Sequence, residues 1–214
     1  MLKIWGRKNA YNVQKVLWFL DELEILFEHV DIGSIPGDLD SKEFLTKNPN
    51  GRIPVILDNG TYIWESNTIL RYLAATYGKD SYWIDNPESR TYVDRWLDWE
   101  LASLQPDYIS LFWEYYRTPE VQRDNDKIDY SLCRCKRNLS ILNHQLENTL
   151  YVAGSEFSLA DIAVGTCFYR YFNMGIKTPT FPNVDKWYKK LSNRAAYQKN
   201  IAVPFNELKG RLEF

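Results

Sequence analysis

Residues 50–72, NGRIPVILDNGTYIWESNTILRY, constrain the fold most, because a turn, a proline-led hairpin and a helix start follow one another without spare residues. Asn50-Gly51 signals a turn, and Pro54 stands at the threshold of the apolar run Val55-Ile56-Leu57, where a strand accepts a residue lacking a ladder donor. A cis Ile53–Pro54 bond would turn the backbone N–H and C=O of Ile53 outward, free to pair with an extended peptide ligand. Asp58-Asn59-Gly60 then turns the chain tightly into the strand Thr61-Tyr62-Ile63-Trp64. Ser66 is the expected N-cap of a helix whose apolar positions Ile69, Leu70, Leu73 and Tyr77 run to a stop at Gly78. The unit sets a backbone edge beside a helix N-terminus. Free N–H groups and the positive dipole end there suit a carboxylate, and Glu65 is placed to pair with an ammonium group. The same local pattern also serves α/β domains that bind nothing, so other stretches must decide its use.

The flanking segments alternate in period. Leu2 to Trp5 reads as a strand, Asn12 to Leu23 as a helix with apolar Val13, Val16, Leu17 and Leu20, and Phe27 to Asp31 as a second strand. A turn-rich loop leads to a short helical piece within residues 41–46. The order strand, helix, strand, helix, strand, strand, helix predicts a mixed sheet flanked by helices. The first two strands need a crossover, and the last two join by a tight turn. Residues 79–88 are polar, contain Asn86-Pro87 and read as a linker between a first domain, 1–78, and an all-helical second domain, 89–214. In that second part Trp96, Leu97, Leu101 and Leu104 mark one helix and Ile128, Leu132, Leu139, Leu142 and Leu146 another, with a polar break at Thr118-Pro119-Glu120. Further on, Ser158 and Asp161 have capping-box spacing, and Phe157 with Ile162 the spacing of a hydrophobic staple.

Composition excludes several classes of function. With 26 basic and 28 acidic residues among 214, and a net charge of -2, no global field points to nucleic acid or an anionic membrane. Lys8, Lys15, Lys189 and Lys190 read as solvated faces rather than a phosphate track. No apolar stretch approaches the length of a membrane span, and the start MLKIWGRKN has no long apolar run, so the chain is expected to stay in the cytoplasm. Three cysteines do not form a disulfide framework. Cys133 and Cys135 face different sides of a helix, and with only His29 and His144 to help, no metal site is expected.

Residues 50–72 resemble the thioredoxin-like domain of the cytosolic glutathione transferases. The run Gly154-Ser155-Glu156-Phe157-Ser158-Leu159-Ala160-Asp161 resembles the capping-box and staple motif of that family's helical domain. The two motifs stand in the family's order, and the resemblance spans about residues 1 to 200. It implies a thioredoxin-like N-terminal domain with a mixed sheet, followed by a C-terminal helical-bundle domain. It also implies glutathione as co-substrate without a prosthetic group. Ile53, beside Pro54, would pair with the cysteinyl backbone, Glu65 and Ser66 would hold the γ-glutamyl end, and Arg52 would lie near the glycine carboxylate.

The thiol-activating group is expected just after the first strand. Residues 7–16, RKNAYNVQKV, resemble bacterial members that carry an Asn-Ser-x-Asn-Val-x-Lys run, but Ala10 stands where the serine hydroxyl is expected. A thiol is mostly protonated at neutral pH, so a donor near the sulfur and a positive helix end are needed to favour the thiolate. Asn12 is the best remaining donor, through its amide NH2, and it is equally suited to cap the helix through its oxygen. Tyr11 should point elsewhere in this register, and Asn9 reaches the site only if the loop is tight. The implied activity is conjugation of the glutathione thiolate to apolar electrophiles, a detoxification chemistry. A glutathione-dependent disulfide or peroxide reductase and a non-catalytic glutathione-binding scaffold are the alternatives, the last favoured by Ala10. A pocket for the hydrophobic electrophile is expected between the first helix and the helix carrying Trp96, Trp99 and Trp113, and the resemblance implies a homodimer.

Overall fold

In the computed structural model, residues 1–78 and 82–212 are described; residues 79–81 of the expected linker and residues 213–214 lie outside the described residues. Four short strands, β1 (Leu2–Trp5), β2 (Phe27–Val30), β3 (Val55–Asp58) and β4 (Thr61–Trp64), form one sheet in the order β2-β1-β3-β4. β1 and β2 are parallel and the other pairs antiparallel, which is the mixed sheet the element order predicts. The parallel pair is joined through α1 (Tyr11–Glu22), as a crossover requires. β3 and β4 are joined by Asn59 and Gly60, both at positive φ (47° and 81°), the backbone of a tight hairpin turn. The short helix α2 (Lys42–Leu45) is capped by Ser41, whose hydroxyl accepts from the Phe44 N–H. The sheet is followed by α3 (Ser66–Tyr77). This is a thioredoxin-like arrangement.

The remainder is helical. α4 (Pro87–Trp99) starts two residues before Ser89, with Pro87 at its first position and the Asn86 side chain accepting from the Ser89 N–H. The helix does not stop where the apolar pattern ends. It passes through a widened π segment (Glu100–Leu104) into α5 (Gln105–Leu111) and a second π segment (Phe112–Arg117) before the 3-10 turn Glu120–Gln122. α6 (Asn125–Gln145) then packs back against α5. α7 (Leu159–Gly165), α8 (Phe168–Asn173), α9 (Pro182–Ser192) and α10 (Ala195–Asn200) follow, and then a 3-10 turn at Asn206–Leu208.

One buried core runs from β1, α1 and α3 into α4, α7 and the helices after it, with Trp18, Phe19, Leu97, Ile162, Phe168 and Trp187 among its members. A smaller cluster of Trp5, Phe44 and Val55 seals the opposite face of the sheet under α2. The expected capping box is present at the start of α7. Ser158 Oγ accepts from the Ala160 N–H, and the Asp161 carboxylate accepts from the Ser158 N–H at 2.9 Å. Asp161 also takes the Val152 N–H and the Trp187 indole N–H, so the cap ties α7 to the preceding loop and to α9. Among the described residues no helix is long and apolar enough to cross a membrane.

Candidate active site

The residues singled out from the sequence converge on one place. Asn12, Arg52, Ile53, Pro54, Glu65 and Ser66 line a cavity of 130 Å³, with Asn48, Leu101 and Gln105 closing it. The Ile53–Pro54 bond is cis. Neither the N–H nor the C=O of Ile53 takes part in a backbone hydrogen bond among the described residues, so both are open to an extended ligand. Asn48 steadies this edge by donating its side-chain N–H to the Arg52 C=O at 2.7 Å.

The helix start differs from expectation. Glu65, not Ser66, is the N-cap of α3, held at φ 67° and ψ 113°, a region that costs a non-glycine residue about 1–3 kcal/mol. Its C=O already accepts the Ile69 N–H at 2.9 Å, and its exposed carboxylate stands at the mouth of the cavity. Ser66 is the first helical residue. Its buried hydroxyl therefore turns toward α1 instead of back onto its own N–H groups, accepting from Lys15 Nζ at 3.4 Å and donating to Asn12 Oδ1 at 3.3 Å.

Asn12 is not a cap either. Ala10 occupies the N-cap of α1 without any side-chain bond, which places Asn12 at the second helical position. With its oxygen facing Ser66, the Asn12 NH2 makes no hydrogen bond among the described residues and is free to donate into the cavity. Tyr11 is excluded from that role, since its hydroxyl donates to Glu100 Oε1 at 2.9 Å. Burial, and then the Glu100 charge, push its pKa well up, so the phenol remains a donor to that carboxylate. Asn9 is also engaged. Its amide donates to Glu207 at 3.1 Å and its C=O accepts from Arg170.

Lys15 is the clearest correction to the sequence reading. It is fully buried, as is Glu100, and the two pair at 2.9 Å. Lys15 also donates to Asn67 Oδ1 at 3.0 Å, and Asn67 Nδ2 donates to Glu100 Oε2 and to the Leu97 C=O. A chain of bonds thus runs from Glu100 in the first π segment, through Lys15, to Ser66 and Asn12 at the cavity. Lys15 does have a signal in the sequence: its neighbours Val13, Val16, Leu17, Trp18, Phe19 and Leu20 leave no polar face for it. Glu100, flanked by Leu97, Leu101 and Leu104, has the same kind of signal.

A second cavity of 200 Å³ adjoins the first and shares Asn12 and Ile53 with it. Its aromatic wall is Tyr108, Phe112 and Trp113, from α5 and the second π segment. Trp96 and Trp99, expected there, pack edge to face on each other at 5.0 Å, and neither lines it. They lie twelve and nine residues before Tyr108, too early in the helical run to reach the cavity. Cys135 and Cys167 are buried and Cys133 is exposed; burial pushes the Cys135 thiol up to about 12. Among the described residues no group of three His, Cys, Asp or Glu side chains is placed to hold a metal ion.

Comparison with known proteins agrees with this architecture. Residues 1–75 match the glutathione S-transferase N-terminal domain and residues 104–195 the glutathione S-transferase C-terminal domain. Glutathione S-transferase GstB of Escherichia coli (strain K12) is 37% identical over 206 residues, covering 95% of this chain and 99% of that protein. Glutathione S-transferase D6 of Drosophila melanogaster is 26% identical, covering 94% of this chain and 92% of its own length. Among solved structures, the theta class glutathione S-transferase from the citrus canker pathogen Xanthomonas axonopodis pv. citri with glutathione bound superposes with a TM-score of 0.90 at 35% identity. It covers 95% of this chain and 98% of that one. On its two matched domains and its full-length relatives, the chain belongs to the glutathione S-transferase family.

Proposed function

We propose that this protein is a glutathione transferase that holds glutathione in the smaller cavity and adds its thiolate to an apolar electrophile seated in the larger one. The single observation that carries this reading is the continuity of the two cavities through Asn12 and Ile53. In it, Ile53 pairs with the cysteinyl backbone, Glu65, Ser66 and the α3 N-terminus hold the γ-glutamyl end, and Arg52 meets the glycine carboxylate. Residues 1–78 supply this binding unit, and the helical part from residue 89 supplies the wall of the second pocket. Asn12 donates to the sulfur, and the α1 N-terminus adds its dipole, so that the thiolate is favoured at neutral pH. The same reading includes a homodimer in the cytoplasm, which light scattering of the purified protein would check.

Asn12→Ala is expected to lower kcat for an activated aryl halide about 10²-fold, the usual cost of removing one preorganised donor to a developing anion. Glutathione affinity should change far less, and an unaltered kcat would remove Asn12 from this role. Ser66→Ala should act in the other way and weaken glutathione about tenfold, the loss of one hydrogen bond to a charged group. Isothermal calorimetry reads this directly; equal affinity of variant and wild type would show that the γ-glutamyl end sits elsewhere.

A further inference from the structure

One side-chain amide at the junction of the two cavities has no partner. The helical run from the first π segment through α5 turns a single face toward both cavities. Leu101 and Gln105 border the smaller one, and Tyr108, Ile109, Phe112 and Trp113, at the helical spacings that follow, border the larger. Gln105 is therefore the last residue of this face on the glutathione side, a turn before Tyr108 on the electrophile side. Asn12 and Ile53, which line both cavities, stand at the same junction from the opposite wall. In the function proposed above, the glutathione sulfur lies there, within reach of the electrophile.

The neighbouring amides and hydroxyls are committed elsewhere. Ala10 has no side-chain donor, Tyr11 donates to Glu100, Asn9 to Glu207 and Asn48 to the Arg52 C=O, while Ser66 spans Lys15 and Asn12. Tyr108 stands a turn further on, in the larger cavity alone. Gln105 is not committed. Its Oε1 is enclosed without a hydrogen-bond partner, and its NH2 makes no hydrogen bond among the described residues either, the end of the amide left open to the cavity. An enclosed amide oxygen without a partner is a cost that native structures seldom carry away from a functional position. A neutral amide N–H beside a developing thiolate stabilises the anion without itself exchanging a proton.

Resting on the glutathione chemistry proposed above, we propose that Gln105 is a second catalytic donor to the sulfur. Its NH2 and that of Asn12, one from α5 and one from α1, hold the thiolate between them where the chain has Ala10 in place of a hydroxyl. The S–H proton passes to solvent, and the two N–H groups face the electron pair it leaves. Neither amide takes up the proton.

The ultraviolet absorbance of the thiolate, titrated against pH for glutathione bound to the purified protein, tests this. Gln105→Met keeps the length of the side chain and cannot donate. It should move the pKa of the bound thiol up by about one and lower kcat/KM for an activated aryl halide at neutral pH about tenfold, the effect of one hydrogen bond to a charged group. That deficit should shrink as the pH rises, since the thiolate then forms without the donor. Gln105→Glu keeps the shape but sets a negative charge beside the sulfur, and should move the thiol further up. The charged groups around the site are the same in Gln105→Met as in wild type: Glu65 and Arg52 on the smaller cavity, the Lys15–Glu100 pair behind it, and Arg7, Arg117 and Arg170 on the larger. Burial holds the Tyr11 and Tyr108 phenols above their ordinary range, so neither titrates near neutral pH. An unmoved thiol in Gln105→Met, with Asn12→Ala raising it, would overturn Gln105 as a donor and leave glutathione transfer standing. Weaker glutathione binding with an unmoved thiol would also overturn it, making Gln105 only a wall of the cavity. No calorimetric binding of glutathione by the wild type would sink both readings.

Discussion

Lys15→Met should destabilise the protein by about 3–5 kcal/mol in urea or thermal unfolding, the largest effect expected from a single substitution here. The side chain is fully buried, and its ammonium is held by Glu100, Asn67 and Ser66. Removing it leaves the Glu100 carboxylate with Tyr11 and Asn67 as donors but without a countercharge in a dry interior. The double variant Lys15→Met, Glu100→Met should recover much of the loss, because two matched apolar side chains leave no buried charge. A single variant that unfolds within about 1 kcal/mol of wild type would show that the pair is not the tie between α1, α3 and the first π segment. Glutathione affinity of the folded variant should also fall, since Ser66 and Asn12 lose the group that orients them.

Asp161→Ala is expected to cost about 4 kcal/mol by the same measurement, because it orphans the Val152 N–H, the Trp187 indole N–H and both Ser158 donors at once. A loss below about 1 kcal/mol would mean that water replaces the carboxylate there. The residue also carries a pH signature. Burial raises its pKa from 3.8 to about 6 against the opposing pull of those hydrogen bonds. Between these values the native protein holds a proton that the unfolded chain has released. This group's contribution to stability is therefore complete below pH 3.8 and is lost as the pH rises through about 6. Asp161→Asn cannot titrate, so the difference between its stability curve and that of wild type should bend in that window and be flat above it.

Much of the local structure was legible residue by residue. The hairpin turn at Asn59-Gly60, the capping box at Ser158 and Asp161 and the proline edge at Ile53 are all set by neighbours in the chain, and the structure contains each of them. Helix ends were less legible. Glu65 takes the N-cap of α3 although Ser66 has the better propensity, because Ser66 is needed by Lys15 and Asn12 across the interface with α1. The helix whose apolar pattern is read as far as Leu104 carries on through α5 and a second π segment to Arg117, and the polar break follows at Thr118-Pro119-Glu120. Buried Glu100 lies in the first of these widened segments and buried Arg117 in the second, and a 3.6-residue period does not express such turns.

The sequence by itself determined the mixed sheet, the helical second half and the set of residues around the smaller cavity, because these follow from periodicity, turn chemistry and capping between near neighbours. Only the tertiary structure decided which charges go inside. Lys15 meets Glu100 from 85 positions away, and Arg7, Arg117 and Arg170 come together from three segments. A charge in a sequence reads as solvated until the fold supplies a partner or a pocket, since leaving it buried alone costs more than any local preference can offset.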